Sequence, residues 1–152
     1  MENMLLALLG GLFLVALITL VVAVVLYVLL AISLSKIAER EGVEPSWLAW
    51  IPVANLVLMA KLVEDDVHES IRGKFTMISI VAIVAGPILG QVIGILAYLP
   101  VITMLYSFYF IAKRYSKNET ANIVVAAVTL GASVPIQLFR FRNREAIEKQ
   151  AA

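Results

Sequence analysis

Residues 4–34 read MLLALLGGLFLVALITLVVAVVLYVLLAISL, thirty-one positions without a single charge. Thr19 and Ser33 are the only aliphatic hydroxyls in the run. As a helix rising about 1.5 Å per residue it is about 46 Å long, against a hydrocarbon core of about 30 Å. Such a helix must tilt or protrude. It is about twice the length of a signal-peptide apolar region, and Met1-Glu2-Asn3 supplies no basic segment ahead of it, so an uncleaved first span is expected. Lys36 and Arg40 follow it and nothing basic precedes it, which favours an outside N-terminus. Residues 35–41 carry Lys36, Glu39, Arg40 and Glu41 and read as the helix leaving the bilayer, with Gly42 as its C-cap.

Outward from that stretch the composition agrees. Of 152 residues, 62% are hydrophobic and 15% charged, and the mean hydropathy is +0.96. Soluble domains average about 45–50% apolar and about 25% charged residues. A soluble fold of this length leaves about a third of its chain surface exposed and has nowhere to hide this much apolar area. The net charge of +1 argues against nucleic acid as a partner. There is no cysteine, so disulfides, thiolate nucleophiles and cysteine metal sites are absent. His68 is the only histidine, and no cofactor or metal is expected.

Four further apolar segments follow, at 46–63, 75–98, 100–115 and 121–139. In 46–63, Ser46 can cap a helix starting at Trp47. Trp47 and Trp50 share one face as interfacial anchors, Pro52 removes a backbone donor, and Asn55 supplies side-chain hydrogen bonds one turn later. Eighteen residues can just cross a bilayer, and a helix broken at Pro52 can equally dip in and return. The loop 64–74 gathers Glu64, Asp65, Asp66, His68, Glu69, Arg72 and Lys74. A solvated loop accounts for it better than a metal site at Asp65, Asp66, His68 and Glu69, whose spacing fits no metal loop.

Residues 75–116 are too long for one span and fit a helical hairpin turning at Gly86-Pro87 or Leu99-Pro100. The second is preferred, because proline suits a first helical turn. It leaves Ala82, Gly86, Gly90 and Gly94 at four-residue spacing on one face, where another backbone can approach closely. Packing within the chain is the plainer use of that face, and a second copy the sharper one. Tyr98, Tyr106, Phe108, Tyr109, Phe110 and Tyr115 make the second arm aromatic, and Tyr109 and Tyr115, beside Lys113 and Arg114, read as interfacial anchors rather than a ligand cage. The last segment is interrupted by Gly131, Ser133 and Pro135. The tail 140–152 carries Arg140, Arg142, Arg144 and Lys149 against Glu145 and Glu148, a cluster suited to anionic headgroups on the cytoplasmic face.

Charge arithmetic separates the topologies. With five crossings, Lys36, Arg40 and the four tail cations fall inside, while Lys61, Arg72, Lys74, Lys113, Arg114 and Lys117 fall outside, which is no bias at all. If 46–63 and 121–139 both enter and leave on one side, three spans remain and all 12 cations are inside. If only 46–63 is re-entrant, the division is eight against four. The positive-inside rule therefore favours re-entrance, whereas segment length allows crossing. The fold class expected is an all-α integral membrane bundle of three to five membrane helices in a single domain, two of them proline-broken.

The run Trp47-Leu48-Ala49-Trp50-Ile51-Pro52-Val53-Ala54-Asn55, followed by Leu58-Met59-Ala60-Lys61, resembles a family of small bacterial polytopic membrane proteins with a Trp-Leu-Ala-Trp-Ile-Pro-x-x-Asn signature. Ile111-Ala112-Lys113-Arg114-Tyr115 and the late Pro135 with its basic tail extend the likeness over most of the chain after Lys36. The resemblance implies a bacterial cytoplasmic membrane and an architecture, and no activity. The acidic loop 64–69 departs from it by its length.

No nucleophile–base pair, carboxylate dyad or phosphate loop can be assembled from these residues, so an enzyme is not expected. The first functional reading is a structural or accessory membrane protein acting by helix–helix contact, with the bilayer and itself or another membrane protein as partners. It rests on the Ala82–Gly94 face, the basic tail and the scarcity of charge at membrane depth. The alternative is a small channel or carrier whose polar path runs through Pro52, Asn55, Gln91, Ser133, Pro135 and Gln137, since facing broken helices can build a substrate route. The plainer account of Asn55 and Gln137 is that they satisfy backbone groups freed by Pro52 and Pro135.

Overall fold

The computed structural model describes residues 2–147; Glu148 and Lys149 of the basic tail lie outside that range. Among the described residues every regular element is a helix: α1 (Glu2–Glu41), α2 (Ala54–Leu62), α3 (Phe75–Leu89), α4 (Leu99–Tyr115), α5 (Glu119–Val128) and α6 (Val134–Phe141), with 3-10 segments at Ser46–Trp50 and Gly94–Tyr98. Two stretches among the described residues are long and apolar enough to cross a bilayer, Asn3–Glu41 and Gly94–Tyr115.

α1 has no proline and no internal charge before Lys36, so nothing interrupts its 40 residues, about 60 Å of helix. Gly42 ends it at φ +70°, and the Val43 N–H donates to the Ala38 carbonyl at 2.9 Å, the six-to-one bond of a glycine-terminated helix. Only its last turns are covered: Ala31, Ser33, Leu34, Ile37 and Ala38 are buried, whereas residues 4–25 are exposed on every face.

Both proline-broken segments double back. In the first, the helix is broken at 51–53, where Val53 is held at φ +72°. The Ser46–Trp50 segment packs on α2, and Lys61 Nζ donates to the Glu44 carbonyl, closing the return. Ser46 does not cap a helix: its hydroxyl lies 3.3 Å from a Glu39 carboxylate oxygen, and the helix beginning there is a five-residue 3-10 turn. In the second, the Gly131 N–H bonds the Ala126 carbonyl at 2.7 Å with Gly131 at φ +87°. Gln137 Nε2 then reaches the Asn122 carbonyl at 3.3 Å, so the chain returns toward the start of α5.

The hairpin between α3 and α4 uses both candidate breakpoints. Pro87 lacks the N–H that would continue the ladder, and α3 ends two residues later at Leu89. Pro100 opens α4, as its fixed φ favours. Residues 75–98 are therefore not one helix, and the four-residue stripe is broken: Ala82 and Gly86 lie on α3, Gly90 is its C-cap, and Gly94 begins the 3-10 segment. Gly86 and Gly90 face the returning chain. A Cβ on Gly90 would stand 2.5 Å from Ala97 Cβ, and one on Gly86 would stand 3.0 Å from Pro100 Cδ. A Cβ on Gly94 would meet nothing within 4 Å.

The buried cluster runs through Leu34, Ile37 and Ala38 of α1, Leu58, Met59 and Leu62 of α2, Phe108, Ile111 and Ala112 of α4, and Leu138 and Phe141 of α6. α1 and α4 are its supports. α2 packs on both, α5 packs on α4, and α6 packs on α1 and α4.

Candidate functional site

Among the described residues, the charges from Lys36 onward gather at one end of the fold. The C-termini of α1, α2, α4 and α6 and the N-termini of α3 and α5 meet there, while the reversals at 51–53, 90–93 and 129–133 carry no charge. Contacts between residues far apart in the chain tie this end together. Arg114 Nη1 lies 3.4 Å from Glu41 Oε2, and its Nη2 pairs with Asp66 Oδ2 and approaches the Leu62 carbonyl at 3.4 Å. The Tyr115 hydroxyl donates to Glu41 Oε1. Arg40 lies over the Tyr115 ring, 5.1 Å from its centroid, and donates from Nη1 to the Arg142 carbonyl at 3.2 Å.

The loop 64–74 is not simply solvated. Glu64 accepts the Phe75 and Thr76 N–H groups at 2.9 and 2.7 Å and also the Thr76 hydroxyl. A carboxylate there satisfies two of the free N–H groups of α3 and favours the positive end of its dipole. Asp66 is committed to Arg114. Among the described residues, no group of three His, Asp or Glu side chains is placed to hold a metal ion.

The anchor residues divide. Trp47 and Trp50 are 58% and 49% exposed, on one face of the 3-10 turn. The Trp50 carbonyl accepts the Tyr27 hydroxyl, and Tyr27 lies fourteen residues before Glu41, about 21 Å along α1. Tyr109 is half-buried with its ring 5.2 Å from that of Phe110. Tyr115 is 2% exposed, so it is no lipid-facing anchor: its ring stacks with Phe141 at 6.5 Å and its hydroxyl is spent on Glu41.

The residues of the expected polar path are not brought together. Asn55 is buried on α2, Gln91 is exposed in the turn after α3, and Ser133 and Gln137 lie in the α5–α6 hairpin. Pro135 sits at the start of α6, where its missing N–H costs nothing, and Pro52 lies in the 51–53 break. Within the second hairpin Gln137 Nε2 contacts Ser133 Oγ at 3.0 Å, and Ser133 Oγ contacts Thr129 Oγ1 at 2.9 Å. Gln137 Oε1 and Ser79 Oγ are buried without a hydrogen-bond partner among the described residues.

The tail arginines also divide. Arg142 lies 3.7 Å over the Phe139 ring. Arg140 and Arg144 line a cavity of about 630 Å³ with Lys117, Asn118 and Tyr115. Chemically, the charged end offers paired carboxylates and arginines that hold helices together and an open cavity lined by Lys117, Arg140 and Arg144. No protein family, no curated protein and no solved structure matches the chain. What fold and site define is a class: among the described residues, an all-helical chain with two helices long and apolar enough to cross a membrane and its charges from Lys36 onward at one end.

Proposed function

We propose that this chain is a multi-pass protein of a bacterial cytoplasmic membrane, a structural or accessory component acting by helix–helix contact. The observation that carries the reading is α1: residues 4–25 bury nothing against the rest of the chain, and lipid or another helix must cover them. The rest of the bundle flanks α1 only along 26–41, about 24 Å. An apolar overhang of about 30 Å beyond it leaves a full helix surface for a second transmembrane helix, itself or another protein. The proposed topology has three crossings (α1, α3 and α4), with 46–63 and 121–139 re-entrant. Its support is that both segments return toward their own starting points and that the charged helix ends from Glu41 onward gather on one side.

Two experiments test this. Single cysteines at Ser70, Ser116 and Asn143, challenged in intact cells with an impermeant thiol reagent, should all be protected. Labelling at Ser70 and Ser116 with Asn143 protected would replace the three-span topology by five crossings. For the contact itself, a cysteine at Leu12 should crosslink in the membrane to one discrete partner, a second copy included. Leu12 remaining uncrosslinked across a full turn of neighbouring cysteine positions would refute a helix partner.

A transport path through the second hairpin is the other reading, favoured by the buried, unpaired Gln137 Oε1. It requires solute flux from reconstituted vesicles that Gln137→Leu abolishes while the protein stays folded.

A further inference from the structure

We propose that the cavity between the end of α4, the start of α5 and the end of α6 binds a phosphate-bearing anion. Its wall is formed by Tyr115, Lys117, Asn118, Asn122, Arg140 and Arg144, among others, around a space of about 630 Å³. That is within the range of about 300–1,000 Å³ typical of small-molecule sites. Three cations converge on it from two separate parts of the chain, Lys117 from the α4–α5 link and Arg140 and Arg144 from the end of α6. No carboxylate lines it among the described residues.

With Lys117, Arg140 and Arg144 on one wall and no carboxylate among its described lining, the cavity favours an anion with two or more negative oxygens. Arginine offers the planar fork that matches phosphate, and lysine adds a point charge. The neighbouring polar groups are already arranged. Ser116 Oγ accepts the Asn118 N–H at 3.3 Å and Asn122 Nδ2 at 2.8 Å, fixing the turn that presents Lys117. Tyr115 and Phe141, stacked at 6.5 Å, form an apolar part of the wall. Arg142, although between the two arginines in sequence, is turned away onto Phe139, so the site selects two of the three tail arginines.

The same chemistry is carried by the headgroup of an anionic phospholipid and by free phosphate. The lipid source rests on the membrane reading, because the cavity opens at the charged end. The phosphate source does not.

The test uses the full chain in neutral detergent, with bound lipid counted by native mass spectrometry. Phosphatidylglycerol and phosphatidylcholine are offered together, and inorganic phosphate is then added as competitor. Phosphatidylglycerol should be retained about tenfold over phosphatidylcholine. Lys117→Gln and Arg140→Gln should each lower that retention about tenfold, and Lys74→Gln, an equal charge change outside the cavity, less than twofold. Displacement by millimolar phosphate supports a soluble phosphate ligand, and resistance to it supports the lipid headgroup. Equal retention of the two lipids, or a Lys74→Gln loss as large as that of Arg140→Gln, overturns the proposal. A chain that passes the cysteine sidedness test yet retains no phosphatidylglycerol overturns the site and leaves the membrane topology standing.

Discussion

Three glycines that look equivalent in sequence should respond very differently to alanine. Gly90 caps α3 at φ −62°, so alanine meets no backbone penalty there. The added Cβ would, however, stand 2.5 Å from Ala97 Cβ and 2.7 Å from Ala97 Cα and N. Ordinary contact needs about 3.5–4 Å, so the returning segment must move by about 1 Å, and backbone cannot rotate away as a side-chain tip can. Overpacking of this kind costs about 1–3 kcal/mol, and the rigid neighbour places Gly90→Ala near the upper end, about 2–3 kcal/mol. Gly86→Ala meets Pro100 Cδ at 3.0 Å and the Leu96 carbonyl at 3.1 Å. The strain there is offset by the helix preference of alanine over glycine, worth about 1 kcal/mol, and the net change should be a loss below about 1 kcal/mol. Gly94→Ala meets nothing within 4 Å and should be neutral or gain a few tenths of a kcal/mol. Unfolding followed by circular dichroism in one mild detergent orders the three. Gly94→Ala falling as far as Gly90→Ala, or Gly90→Ala matching the parent, would refute the in-chain packing of the α3–α4 turn.

Other positions give equally direct outcomes. Glu64→Ala removes the acceptor for two N–H groups of α3 and should cost about 1–2 kcal/mol in the same unfolding assay, with Glu64→Gln intermediate. Arg114→Met removes the ion-pair partner of Glu41 and Asp66 at a partly exposed site, leaving Glu41 the Tyr115 hydroxyl, and should destabilise by about 2 kcal/mol. Asp66→Asn should cost clearly less, since the Glu41 contact survives. Val53→Gly relieves a β-branched residue held at φ +72° and should raise stability by about 1 kcal/mol; a loss would mean that the Val53 side chain has a partner in the membrane.

Much of the architecture is visible in the residues themselves. The charge-free run 4–34, Gly42 after Glu41 and Pro100 at a helix start each act through a local backbone rule, and local rules can be read along the chain. The reversal of the two broken segments is of the same kind, since Pro52, Gly131 and Pro135 mark where the ladder stops. The stripe Ala82–Gly94 was legible only in part: Gly86 and Gly90 do face the returning chain, but spacing presumes a single helix, and the helix ends at Leu89 before Gly94 can share its face. The charged end was the least legible. Glu64 resembles the start of a solvated acidic loop until α3 is folded against it. Tyr115 resembles a headgroup anchor until Glu41, seventy-four positions away, accepts its hydroxyl. Pairings over such separations leave no periodic trace, and a run of charges reads the same whether it faces water or a partner.

The contact between Arg40 and the Arg142 carbonyl spans 102 residues, and α6 is a principal neighbour of α1. The first helix is thus finished by the last. At about 5–20 residues per second of synthesis, the face of α1 that α6 covers waits about 5–20 seconds for its partner. Through that interval, Ala31, Leu34, Ile37 and Ala38 depend on the returning turn at Ser46–Trp50 and on α2, the first elements to emerge after α1. The early hairpin therefore acts as a provisional cover during biogenesis, and a chain truncated before Val134 would leave the ribosome with its oldest helix still half-dressed.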